Sequence, residues 1–111
     1  MTMLEGILGG ANAARTLLFL ENYGDGYATE IARTYGVALR PIQAQLDRFE
    51  RAGVLVSRLR GRTRIYEWNP RGPMIQPLRA LVATALDLVP PPDRERYYRQ
   101  RRRPRAKGKP L

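Results

Sequence analysis

Arg58, Arg60, Arg62 and Arg64 bracket Gly61, with only Leu59 and Thr63 between them. Four cations in seven residues with no acid repel one another, and a hairpin built only for stability would mix signs across its strands. A guanidinium presents a planar fork of donors that matches phosphate oxygens, so the run points to a polyanionic backbone or to the narrow groove of a duplex. If all four met phosphates in each half of a two-fold assembly, eight neutralised charges would set a slope of log affinity against log salt of about −7. The same composition also suits an edge hairpin charged to discourage strand pairing.

A second set lies upstream. With Ile42, Leu46 and Phe49 turned to a core, a helical step of about 100° per residue puts Arg40, Gln43, Ala44 and Asp47 on the opposite side. These side chains suit base edges. Arg40 would donate bidentately to guanine O6/N7, Gln43 would pair with adenine N6/N7, Ala44 would touch a thymine methyl, and Asp47 would accept from cytosine. An ordinary solvated helix face has the same make-up.

Other chemistry is scarce. The 111 residues include no Cys and no His, which removes disulfides, thiolate or imidazole metal sites and His-based triads. Glu21, Asp25 and Glu30 lie close in sequence, but carboxylates at helix ends are ordinary and no nucleophile, base or phosphate loop accompanies them. The expectation is a protein that is not an enzyme and uses no cofactor and no metal. No apolar run approaches the roughly 20 residues of a membrane span, so the reading is soluble and cytoplasmic, with no membrane partner.

Charge is unevenly spread. The formal net charge is +10, with −2 on residues 1–50, +5 on 51–89 and +7 on 90–111. Such a surplus calls for a polyanion, nucleic acid first and an acidic protein or membrane surface second. The last segment opens on Pro90, Pro91 and Pro92 and is rich in arginine. It reads as a basic Pro/Arg-rich tail over 91–111, flexible or forming a short helix capped by Asp93, after a folded domain over 1–90. Within it, Arg101–Lys107 also suits a nuclear signal or a membrane or RNA contact.

The elements that must position these residues can be read from periodicity. Met3, Leu4, Ile7 and Leu8 fall at helical spacing before Gly9 and Gly10 interrupt, and Asn12 can cap a second helix that closes at Gly24. Ala28, Ile31, Ala32 and Tyr35 make a third stripe ended by Gly36, with Val37 packing back on the last turn. A tight turn leads to a helix opening near Pro41 and ended by Gly53. Val54–Leu59 and Arg64–Trp68 then form a β-hairpin around Arg60-Gly61-Arg62, and Asn69-Pro70 breaks the second strand. From Pro73 to Val89 the apolar residues keep a period of about 3.6, and Ala80, Ala83 and Leu88 leave a second face nearly apolar too.

The stretch Ala28–Val37, the helix Ile42–Leu55 with its Ala52-Gly53-Val54-Leu55 exit, and the basic run Ser57–Trp68 together resemble the ArsR/MarR-type winged-helix transcriptional regulators. The likeness covers Leu17–Leu88. Asn69-Pro70, Pro73, Pro77, Leu78-Arg79 and Leu81-Val82 are similar to a subgroup found beside nucleotidyltransferase domains. The resemblance implies a mainly α fold with a β-hairpin wing, a winged helix-turn-helix whose recognition helix enters the major groove of double-stranded DNA. It departs from the metal-sensing members, whose Cys pair would fall near Tyr27 and Thr29. The excess apolar surface on the 74–89 helix, with the N-terminal helices, implies a homodimer. A docking module gripping an acidic protein or RNA is the alternative.

Overall fold

A computed structural model of the chain describes residues 2–99; the Arg101–Lys107 run and the rest of 100–111 lie outside the described residues. The chain folds as α1 (Met3–Leu8), α2 (Ala11–Tyr23), β1 (Asp25–Gly26), α3 (Ala28–Tyr35), α4 (Leu39–Arg51), β2 (Leu55–Arg60), β3 (Thr63–Trp68), α5 (Ile75–Asp87) and α6 (Pro91–Tyr97). It is mostly helical, with a small three-stranded antiparallel sheet in the order β1-β3-β2.

The stripes of α3 and α4 fall where periodicity puts them, whereas of the α1 stripe Leu4 is buried and Met3 and Ile7 are exposed. Ile31, Ala32 and Tyr35 of α3, and Ile42, Leu46 and Phe49 of α4, are buried in one core with Leu17 and Leu20 of α2 and Val82 and Leu86 of α5. Helix α2 is the centre, packing against α1, α3, α4, α5 and β1. Between α3 and α4 the chain turns at Gly36, whose φ of +67° is the left-handed region that a side chain would strain. The Val37 amide donates back to the Ala32 carbonyl at 3.0 Å, so only a few residues separate the two helices. Pro41 sits in the first turn of α4, where its missing N–H has no carbonyl to meet.

Local expectations fail in four places. Asn12 does not cap α2: the cap is Gly10, and Asn12 Oδ1 accepts instead from Arg15 Nη1 at 2.8 Å. The reason is that the Gly9-Gly10 pair, both at positive φ, makes the break between α1 and α2 immediately before Ala11. Asp25–Gly26, expected as a lead into α3, forms a third strand with Asp25 opposite Glu67 and Gly26 opposite Tyr66. Glycine is required there because a Cβ at position 26 would lie 2.5 Å from the Phe19 ring. Asp93 does not cap the last helix; Pro90 does, and α6 begins at Pro91.

The fourth difference is the boundary at residue 90, which falls inside the packed unit. Tyr98 is buried in the core. Its hydroxyl shares a 2.8 Å hydrogen bond with that of Tyr35, and Tyr35 Oη also donates to the Arg15 carbonyl at 3.0 Å. Tyr23 Oη donates to the Tyr97 carbonyl at 2.6 Å and Arg94 Nη2 to the Leu86 carbonyl at 2.7 Å. These bonds fasten α6 to α2, α3 and α5.

Candidate nucleic-acid interface

On α4 the amphipathic division is sharp. Beneath lie Ile42, Leu46 and Phe49, while Arg40, Gln43, Ala44 and Asp47 are all exposed along one outward stripe. Among the described residues no hydrogen bond or ion pair holds the Arg40, Gln43 or Asp47 side chains. Their neighbours are used differently. Arg48 donates to the Leu8 carbonyl at 3.0 Å and to Gln45 Oε1, and its guanidinium lies 4.6 Å over the Phe49 ring. That arginine fixes α4 against α1.

The hairpin starts from the C-terminal end of α4. Ser57 Oγ donates to Glu50 Oε2 at 2.6 Å, and Arg64 Nη1 donates to Ser57 Oγ at 3.0 Å. Register fixes the faces: Leu55 pairs with Trp68 and Ser57 with Tyr66 on the α4 side, while Val56 with Glu67 and Arg58 with Ile65 occupy the other. Strand β1 then sets Asp25 beside Glu67. Arg58 Nη1 reaches Glu67 at 3.2 Å and its Nη2 lies 4.0 Å from Asp25.

The four arginines therefore divide into two kinds. Arg58 is neutralised by acids that sit 33 residues before it and nine after it in the chain, and Arg64 is tied to the Ser57–Glu50 pair. Arg60 and Arg62 flank Gly61 at the tip, exposed, with no carboxylate within 4 Å among the described residues. Gly61 has a φ of +63°, which permits the tight reversal. The expectation of four cations without an acid is corrected at Arg58, whose acids come from β1 and from the base of β3; Arg64 is held by the Ser57 hydroxyl and, among the described residues, has no carboxylate within 4 Å.

Leu59 at the same tip is 61% exposed and stands opposite Arg64. It was not among the residues singled out from sequence; an isolated Leu inside a basic run is its only signal. Tyr66, on the α4 side, has its hydroxyl pKa raised by burial first and then by the nearby Glu50 and Asp47 carboxylates. It stays neutral between the hairpin and α4.

Elsewhere, Glu21 is paired with Arg79 at 3.0 Å, and that guanidinium lies 5.6 Å over the Trp68 ring. Among the described residues no group of three acidic, His or Cys side chains could hold a metal ion. No helix among them is long and apolar enough to cross a membrane. On α5, Leu81 is exposed while Ile75, Val82 and Leu86 are buried, and the residues flanking the helix, Met74 and Leu88, are exposed too, so apolar residues lie on both its inner and its outer side. Comparison with family models, curated proteins and solved structures gave no significant match.

Proposed function

We propose that the chain is a winged-helix protein of the kind its sequence resembles, and that it binds double-stranded DNA as a homodimer that regulates transcription. The observation that carries the reading is the pair Arg60 and Arg62, exposed at the tip of a hairpin with no acid to neutralise them. Helix α4 supplies the second element, its outward stripe Arg40, Gln43, Ala44 and Asp47 unengaged beside the core residues that hold it in place. In this reading the N-terminal half of α4 reads base edges in the major groove, and the β2–β3 hairpin is the wing, on phosphates or in the minor groove.

Affinity and specificity are divided between the two. The tip arginines provide sequence-independent attraction, whereas α4, with opposite charges at Arg40 and Asp47, discriminates between bases. Since only Arg58 is paired with acids within the fold, six hairpin charges per dimer, from Arg60, Arg62 and Arg64, remain for phosphates, and the salt slope from the hairpin is about −5.4 instead of −7. The outer apolar side of α5 with Met3 and Ile7 of α1, all exposed, is the surface that a second copy covers. Two half-sites about one helical turn apart follow from two-fold symmetry.

The test is an electrophoretic shift titration with random genomic fragments, followed by selection of bound fragments at about 150 mM salt, where counterion release no longer hides specificity. Recovery of a common two-fold sequence whose preference changes in Arg40→Ala and Gln43→Ala is the expected result. Exposed Leu59 favours a second reading, in which the basic tip docks on an acidic protein with an apolar notch. That reading predicts no shift of duplex DNA at moderate salt.

A further inference from the structure

Between α1, α2, α5 and α6 lies an open cavity of about 400 Å³, and two residues of its lining, Met3 and Leu88, belong to the exposed surface proposed for a second copy. That volume is in the range of sites for small organic molecules. Leu18, Ala85, Leu88 and Val89 supply aliphatic walls, and Tyr97 and Tyr98 supply aromatic ones. Tyr35, on α3, also lines it, and rings at 5.1 Å (Tyr35 to Tyr97) and 6.1 Å (Tyr35 to Tyr98) make one aromatic cluster.

Three charged residues line the cavity, and their situations differ. Glu5 is engaged in the cap of α1, its Oε1 accepting from the Thr2 amide at 3.0 Å. Asp93 is exposed. Arg15 is half-buried, has no carboxylate within 4 Å among the described residues, and uses a single N–H, from Nη1 to Asn12 Oδ1 at 2.8 Å. A guanidinium has five N–H donors. None of the Arg15 nitrogens is both buried and unpartnered, so its spare donors are open to an acceptor that enters the cavity.

We propose that this cavity is a binding site for a small hydrophobic carboxylate, with its apolar body between Leu18, Leu88 and the tyrosine rings and its carboxylate on Arg15. A planar carboxylate matches the guanidinium fork. An organic cation of the same size would be repelled by Arg15, and a wholly apolar ligand would bury the spare donors without a partner. Burial keeps both hydroxyls neutral, holding Tyr35 well above the ordinary tyrosine value and pushing Tyr98 up to about 12 against the lowering effect of its hydrogen bond from Tyr35, so no phenolate competes with the ligand for Arg15. The site does not need DNA binding, but it shares Met3 and Leu88 with the proposed dimer surface, so ligand and second copy compete for that side of the molecule.

The experiment is calorimetric titration of the full chain with 1-naphthoate and with 1-naphthylmethylammonium, which share a ring system and differ in charge. Saturable binding of one naphthoate per chain is expected, with the ammonium weaker by at least about tenfold. Arg15→Gln, at a partly exposed position, should lose about tenfold for naphthoate and nothing for the ammonium, with an unchanged melting curve. Ala85→Phe should fill the cavity and abolish binding of naphthoate; should that variant fail to fold, Arg15→Gln decides alone. Absence of saturable naphthoate binding overturns the proposal, including the case where sedimentation shows a second copy covering the cavity. Equal affinities for the two probes, or an unaltered Arg15→Gln, overturn it as well.

Discussion

The base and the tip of the β2–β3 hairpin have the same arginine-rich sequence and opposite circumstances. At the base, Arg58 lies between Glu67 and Asp25, and Arg64, opposite Leu59 nearer the tip, reaches back to Ser57 and through it to Glu50. At the tip, Arg60 and Arg62 have no acid within reach among the described residues. Spacing along the chain is the same for all four, so residue type and periodicity do not separate them. What separates Arg58 from the rest is the third strand: β1 brings Asp25 beside Glu67, within reach of Arg58, and ends well short of the tip. An arginine paired with acids inside the fold and one left exposed can thus lie two residues apart in a single short ribbon.

Reversing the tip gives the largest effect. Arg60→Glu with Arg62→Glu should weaken binding to any duplex by about a hundredfold at roughly 100 mM salt, while the melting curve stays within about 0.5 kcal/mol of the parent, as for other exposed substitutions. Electrophoretic shift and thermal denaturation read the two quantities. Unchanged affinity would remove the distinction between base and tip.

Next is the strand that makes the distinction. Gly26→Ala forces a methyl to within 2.5 Å of the Phe19 ring, an overpacking expected to cost about 2 kcal/mol. Its urea midpoint should fall accordingly. Because a loosened β1 takes Asp25 away from Arg58, the variant should also bind duplex DNA slightly more tightly than the parent. A variant as stable as the parent would mean that β1 does not pack closely on α2.

The α6 anchor makes a third test, since Arg94 there is also held by the fold. Tyr98→Phe removes one hydrogen bond, worth about 1 kcal/mol. The hydroxyl of Tyr98 is pushed up to about 12 by burial, whereas an unfolded tyrosine ionises near 10. Between those values the folded chain retains a proton that the unfolded chain has lost. Stability is therefore whole below pH about 10 and declines as pH rises towards 12. Tyr35 is raised for the same reason, so melts at increasing pH should show a steeper decline for the parent than for Tyr98→Phe.

Smallest of all is Arg58→Met. Its ion pairs are half-exposed, and such pairs contribute at most about 1 kcal/mol. Duplex affinity should change by less than about threefold, since this charge is already compensated. A loss as large as that of the tip reversal would place Arg58 in the same class as Arg60 and Arg62.

The helices were legible because their signal is local. Ile31, Ala32 and Tyr35, or Ile42, Leu46 and Phe49, reveal a buried face by spacing alone, and burying that face leaves Arg40, Gln43, Ala44 and Asp47 outside. Gly36 and Gly61 mark their turns through backbone sterics, again within a few residues. Strand β1 was illegible: two residues have no period, and their partners Glu67 and Tyr66 lie about forty positions away. The cavity was equally hidden, because Arg15, Leu88 and Tyr98 converge only after α2, α5 and α6 pack.

By itself, then, the sequence determined the order of helices and hairpin, the inward stripes, the outward stripe of α4 and the concentration of charge after residue 50. Periodicity, glycine sterics and proline's missing donor act over a turn or two, and the chain displays them directly. Only the tertiary structure decided which arginines remain unpaired, where the packed unit ends and what surrounds Arg15. Those outcomes depend on distances of a few ångströms between residues far apart in sequence, because electrostatic pairing and desolvation respond to position in space and not to position in the chain.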